Sequence, residues 1–479
     1  MAKMTAAPTA LPSPERLRAL LQAMGAGLLE REAAVRLALL AALAGEHVLL
    51  IGPPGTAKSA LARRLHGAFA GLRWFERLLT RFSTPEELFG PLSLKALEED
   101  RYERQVDGFL PTDGIAFLDE VFKANSAILN ALLTLLNERE FDNGTQRSRT
   151  PLVAVVAASN EVPGDEALYA FYDRFLVRVP VAPVGDEAFA ALLQLPQVPQ
   201  SPAEAAPAAV QALSVADREA VAAAAAQVTL GDDFVRGCQA LRQFLAERQA
   251  PLSDRRWRQW VGLARTGAAC EGRAALDAHD LWLAPFVAAA TPQDAALLAA
   301  WFMDTWLALP PSQAPWLERA VQAFEKQLDV EQSAPPEDGD DSAGKLALAR
   351  SIGWGREDDV GMLRVVSKPL EQKLRRRFSA VHVAARVAQV ADIEGRWADE
   401  QSQWQQQLAA QQALLAARLW MPPELVSGLQ ARIQAALDLL AALAARLAVA
   451  RAGFAALPVR EPAADEAAPA PVDLEAAWP

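Results

Sequence analysis

The apolar positions begin in a helical pattern. Ser13-Pro14-Glu15 supplies a capping side chain, a proline for the first helical position and an early acid, and Leu17, Leu20, Leu21, Met24 and Leu28 then share one face. A second helical stretch runs from Glu32 to Leu43 and stops at Gly45. There the pattern changes to His47-Val48-Leu49-Leu50-Ile51, a run suited to a strand covered on both faces. Strand-like runs recur at Trp74 to Leu79, Ile115 to Leu118, Leu152 to Ala157 and Phe175 to Val181, with helical stretches between them. That alternation predicts an α/β fold, a parallel sheet flanked by helices.

Past about Ala191 the strands are expected to disappear. Pro196, Pro199, Pro202 and Pro207 mark a connector, and Val215 to about Ala290 reads as helices. Residues 331–344 contain five acids, two prolines and no Lys or Arg, a linker composition. Leu346 to Val390 reads as a small mixed segment. Two long helical patterns follow, separated by Met421-Pro422-Pro423. Ile393, Trp397, Trp404 and Leu408 mark one, and Leu425, Leu429, Ile433, Leu437, Leu440 and Leu447 the other, which predicts an antiparallel hairpin. The expected organisation is an α/β domain (1–191), an all-α domain (192–290), a discontinuous helical domain (291–456) with its acidic linker (331–344) and short insertion (345–390), and a disordered tail (457–479).

Composition narrows the partners. The 479 residues carry 47 Lys and Arg against 59 Asp and Glu, a net charge of −12, which argues against indiscriminate binding to a phosphate backbone. Two cysteines, Cys238 and Cys270, give neither a disulfide framework nor a zinc spacing. The first residues lack the apolar core of a signal peptide, and continuous apolar stretches such as Leu37 to Gly45 stop short of the ~20 residues of a membrane span. A cytoplasmic protein without a transmembrane segment is expected. Lys373 to Phe378 is basic but has no interleaved aromatics, so a solvated face is the expectation there.

Chemistry enters directly after the first strand run. Gly52-Pro53-Pro54-Gly55-Thr56-Ala57-Lys58-Ser59 precedes a helical stretch, the context a phosphate-binding loop requires. Glycines allow amide groups to converge on phosphate oxygens, Lys58 reaches the outer phosphates, and Ser59 ligates magnesium. Ala57 occupies the position of a usual second glycine, which a right-handed helical backbone there would tolerate. The run Ile115 to Leu118 ends in Asp119-Glu120, carboxylates suited to holding Mg2+ and to polarising an attacking water. The next core run ends at Asn160, placed to orient that water if the two strands are neighbours.

Together these residues resemble an AAA+ ATPase of the MoxR group. GPPGTAKS, RFSTPEELFGPLS (81–93), FLDE, AASNEVP (157–163), ALYAFYDRFLVR (167–178) and LSDRRW (252–257) are most similar to its RavA branch. The resemblance covers residues 13–290, and more weakly the helical hairpin at 391–456. It implies an AAA+ parallel sheet, an all-α lid and a C-terminal helical domain carrying a small insertion, the last shorter here than in the family. It also implies a homohexameric ring that hydrolyses Mg-ATP between subunits, and a von Willebrand factor A-domain partner. Arg174 matches the arginine finger, with Arg178 as the other candidate, and Arg255 matches the lid sensor, with Arg256 as its competitor. The expected function is chaperone-like remodelling or assembly of a protein client that the sequence does not name. An ATP-gated scaffold with slow hydrolysis is the alternative, and a nucleic-acid motor is disfavoured by the charge.

Overall fold

The computed structural model describes residues 11–164, 166–195, 211–306, 315–334, 376–461 and 467–474. The chain forms two compact units, Met1–Leu307 with Leu415–Ser427, and Ala308–Leu414 with Gly428–Pro479.

The first unit opens with α1 (Pro14–Gly25), whose Ser13 side chain accepts from the Arg16 amide, and α2 (Glu32–Ala44), which ends on Gly45 at φ 72°. Then come β1 (Val48–Ile51), α3 (Lys58–Gly67), β2 (Trp74–Leu78), α4 (Pro85–Phe89), α5 (Leu94–Glu98), β3 (Ile115–Asp119) and α6 (Ser126–Glu138). A hairpin of β4 (Glu140–Asn143) and β5 (Gln146–Arg149) precedes β6 (Ala154–Ser159), α7 (Glu166–Tyr172), β7 (Val177–Pro180) and α8 (Asp186–Leu193). The sheet is parallel in the order β2-β3-β6-β1-β7, with Leu118 opposite Ala157 and Ile51 opposite Ser159. This register brings the ends of β1, β3 and β6 to one sheet edge. The chain reverses its strand order there, where ligands of open α/β sheets bind.

The β4–β5 hairpin has no counterpart in the hydrophobic pattern. Of its eight strand residues only Phe141 is buried, so no alternation marks it, and its turn rests on Gly144 at φ 65°.

Helices α9 (Val215–Gln227), α10 (Asp232–Glu247), α11 (Asp254–Cys270), α12 (Ala284–Val287) and α13 (Pro292–Trp306) complete the helical part of this unit. The expectation of no further strands is corrected by β8 (Thr229–Leu230) and β9 (Ala275–Leu276), a parallel pair too short to leave a pattern. The unit is closed by a segment far along the chain, 415–427. Trp420 is buried, donates its indole N–H to Gly267 O at 3.2 Å, and lies where a Cβ on Gly267 would come within 3.3 Å of its ring. Leu40 of α2 borders the same spot. Glu271 accepts from the Leu419 amide at 2.7 Å, and buried Arg418 pairs with Asp280 at 3.1 Å and with Asp277.

The second unit contains α14 (Pro315–Ser333) and most of α15 (Ala380–Ala417) and α16 (Pro423–Ala455). Its core joins Leu317, Val321 and Phe324 to Val390, Ile393 and Trp397, and to Leu440, Leu447 and Phe454. Helix α16 buries Leu429, Ile433, Ala436, Leu440, Leu443, Leu447, Ala450 and Phe454, steps of four and three that define one seam. By length and composition it is the one helix among the described residues that could cross a membrane, a property its many alanines supply. Glu331 of α14 accepts from Arg386 Nε of α15 at 2.8 Å. In the expected tail, Ala470 O accepts from Arg386 at 2.8 Å, and Val472 and Leu474 pack on the core. Most of the acidic linker and the first part of the 345–390 insertion, residues 335–375, lie outside the described residues, while residues 380–390 belong to α15.

Candidate nucleotide site

The loop between β1 and α3 is held tightly at its start. Gly52 N donates to Ser159 O at 3.0 Å, and a Cβ on Gly52 would sit 1.9 Å from Val181 O, so no side chain fits. Pro53, Pro54 and Gly55 are exposed, with Gly55 at φ 80°, and Thr56 Oγ1 turns back to Pro53 O at 2.9 Å. Lys58 Nζ donates to Gly52 O at 2.6 Å, Pro53 O at 2.9 Å and Asn160 Oδ1 at 3.5 Å. Burial lowers the Lys58 ammonium from its ordinary value; Asp119 and Glu120 oppose that and Arg31 adds to it.

Ala57 departs from expectation. Its backbone is left-handed at φ 64° and ψ 24°. A Cβ in that region costs about 1 kcal/mol, so the loop carries strain at the position where a glycine would carry none.

Asp119 ends β3 with Glu120 directly after it, as the strand pattern predicts, and β6 delivers Asn160 beside them. Asn160 Nδ2 donates to Glu120 Oε1 at 2.5 Å, and Lys123 Nζ lies 3.2 Å from the same oxygen. Glu120 is itself left-handed at φ 53°, a second strained residue at the site. Burial raises the Asp119 carboxyl above its ordinary value, although the Glu120 amide donates to it at 3.0 Å. Residues 54–60, Arg63, Asp119, Glu120 and Asn160 line a cavity of about 380 Å³. The donor set fits a magnesium–nucleotide complex: loop amides and Lys58 for phosphate, the Ser59 hydroxyl and Asp119 carboxylate for a hard cation. No cluster of three metal-ligating side chains occurs among the described residues, so phosphate oxygens and water would complete the ion's shell.

The four arginines separate by burial. Arg178, the second candidate for the finger, is buried with its guanidinium 3.8 Å from the Tyr172 ring centroid, and donates to Ala289 O at 3.0 Å. Arg256, the second candidate for the sensor, is equally committed. It donates to Val287 O at 2.6 Å, Leu176 O at 2.8 Å and Phe175 O at 3.2 Å, and pairs with Asp173 at 3.1 Å. Burial pushes it down to about 9. Both guanidiniums are held by backbone carbonyls, and neither lines the cavity. Asp173 is thereby engaged with Arg256 rather than Arg174, whose buried Nε has no hydrogen-bond partner. Arg255 is exposed, donating to Asn137 Oδ1 at 2.9 Å, and its charge lies close enough to Arg174 to lower that guanidinium further after burial. Neither Arg174 nor Arg255 lines the cavity.

Sequence reasoning missed Arg31. Buried at the start of α2, it donates to Thr56 O at 3.1 Å, Glu30 O at 2.7 Å and Ala182 O at 2.7 Å. A lone arginine before a helix has no pattern to announce it.

Residues 15–216 match a family model described as the MoxR domain in the MoxR-vWA-beta-propeller ternary systems, and residues 234–302 match an AAA lid domain. The chain belongs to the MoxR family of AAA+ ATPases. The uncharacterized protein MJ0812 of Methanocaldococcus jannaschii is 39% identical over 254 residues, 53% of this chain and 66% of that protein. MJ0079 of the same organism is 49% identical over 164 residues, 34% of this chain and 43% of that protein. Protein MoxR of Paracoccus denitrificans is 31% identical over 170 residues, 33% of this chain and 48% of that protein. The chain therefore spans less than two thirds of the length of each of these relatives. The RavA-like branch rests on the motifs alone.

Proposed function

We propose that this chain hydrolyses Mg-ATP and uses the cycle to remodel or assist assembly of a protein client, acting as a homohexameric ring with a von Willebrand factor A-domain partner. The observation that carries this reading is the convergence of Lys58, Ser59, Asp119, Glu120 and Asn160 on one cavity while Arg174 and Arg255 stand together outside it. Loop amides and Lys58 hold the phosphates, and Ser59 with Asp119 holds the metal. Bound magnesium would neutralise phosphate charge and fix the chain of phosphates. Asn160 keeps Glu120 aimed, and Glu120 takes the proton of the water that attacks the γ-phosphorus, giving ADP and phosphate. Arg174, outside its own subunit's cavity, is suited to stabilising charge on a neighbour's γ-phosphate, and Arg255, on α11, to sensing the γ-phosphate as the lid moves. The family description, which names a MoxR–vWA–beta-propeller system, supports the partner.

Subunit mixing tests the shared site. Glu120→Gln and Arg174→Ala subunits are each expected to be inactive alone, and mixtures to regain turnover at interfaces that combine an intact Glu120 with an intact Arg174. Inactivity at every ratio would sink the shared-site reading.

The scaffold reading draws on one observation. Glu120 is engaged at rest by both Asn160 and Lys123, which favours slow hydrolysis. Partner release on nucleotide exchange, without hydrolysis, would favour it.

A further inference from the structure

Arg31 is a buried cation bound only to carbonyls. Among the described residues no carboxylate comes within ion-pair distance; the adjacent Glu30 and Glu32 act on it only from farther away, and Glu30 spends its Oε2 on the Gly185 amide at 2.9 Å. Its three acceptors belong to three separate pieces of chain: the turn before α2, the phosphate loop and the exit of β7.

The bond to Thr56 O has a geometric consequence. In a trans peptide the carbonyl and the following amide point in opposite directions. With the Thr56 carbonyl turned toward Arg31, the Ala57 amide turns the other way. Ala57, the residue that follows, adopts the left-handed conformation that its methyl group disfavours, so something outside it must hold the peptide there. Arg31 Nε is the group in contact with that peptide.

Resting on the nucleotide reading above, we propose that Arg31 is a positioning residue for the triphosphate. It locks the Thr56–Ala57 peptide so that the Ala57 amide serves phosphate, and its charge lies close enough to Lys58 to add to the positive field there. Arg31 does not touch the substrate; it acts through the loop. The chain keeps an alanine where a glycine would rest unstrained because an arginine outside the loop fixes the peptide.

The test is a double-mutant cycle read by binding of a fluorescent N-methylanthraniloyl ATP with magnesium. Arg31→Met should weaken binding at least tenfold, and Arg31→Lys, which keeps the charge and one donor, by less. In the Arg31→Met background the effect of Ala57→Gly should differ from its effect alone by more than threefold, because the two residues act on one peptide. Melting of each variant without nucleotide separates loss of fold from loss of positioning, and Arg31→Lys serves where Arg31→Met does not fold. Wild-type protein that binds while the Arg31 variants bind within twofold of it, or effects that multiply independently, would overturn the assignment to Arg31 alone. Wild-type protein that fails to bind would overturn the nucleotide reading and this inference with it.

Discussion

Glu46→Gln should stabilise the protein in a way that grows with pH. Glu46 sits half-buried between Gly45 and β1, with Oε2 accepting from Gln259 of α11 at 2.9 Å. Burial pushes its carboxyl up to about 7 from 4.5, despite Arg139, Arg255 and Arg256 nearby. Between these values the folded chain retains a proton that the unfolded chain releases, so this group's contribution to stability falls as pH rises through the window. At about 1.4 kcal/mol per pKa unit the full loss is about 3 kcal/mol, and partial exposure of Glu46 sets the expected range at about 1–3 kcal/mol.

Gln mimics the protonated form. The variant should match wild type below about pH 4.5 and gain until about pH 7, where the gain levels off. Calorimetric melting at a series of pH values would show it as a rise of roughly 2–6 °C at pH 8, at about 2 °C per kcal/mol for a unit of this size. His47, next in the chain, has the opposite slope. Burial holds its imidazole well below 6.5, with Nε2 against Leu136 O at 3.2 Å and Nδ1 accepting from the Val155 amide at 3.0 Å. Its contribution is present above about 6.5 and is lost as pH falls below it. The neighbours therefore offset each other between about pH 4.5 and 6.5, and removing Glu46 should unmask the acid-side decline. A difference between variant and wild type that is equal at pH 5 and pH 8.5 would refute the reasoning.

Two further substitutions probe the joints of the first unit. Arg256→Met should destabilise it by about 3–5 kcal/mol, because it leaves the carbonyls of Val287, Phe175 and Leu176 without their donor; a melting point within 2 °C of wild type would count against that role. Trp420→Ala should cost about 3–5 kcal/mol through the cavity it opens beside Gly267, and differential scanning fluorimetry would detect the loss.

What could be read from the chain followed from local chemistry. β1, the loop after it and α3 are contiguous, so the phosphate-binding order needed no tertiary knowledge. Asp119 and Asn160 stood out because each ends an apolar run. Which way a backbone turns at one alanine depends on a bond to the preceding residue, Thr56, from an arginine 25 positions before it, so the strain at Ala57 was not legible. The arginines illustrate the same limit. Arg255 and Arg256 are adjacent and chemically identical, and only the carbonyls surrounding one of them distinguish a structural bolt from an exposed cation. The β4–β5 hairpin and the β8–β9 pair stayed hidden because nearly all their side chains face water or are too few to repeat.

The seat of Trp420 also bears on how the protein is made. Leu40 and Gly267 emerge from the ribosome well before Trp420, the residue that fills the space between them, which follows Gly267 by 153 residues. At roughly 5–20 residues per second that interval is on the order of 8–30 s. During it the nascent first unit bears an open apolar notch, and its final closure waits on residues 415–427.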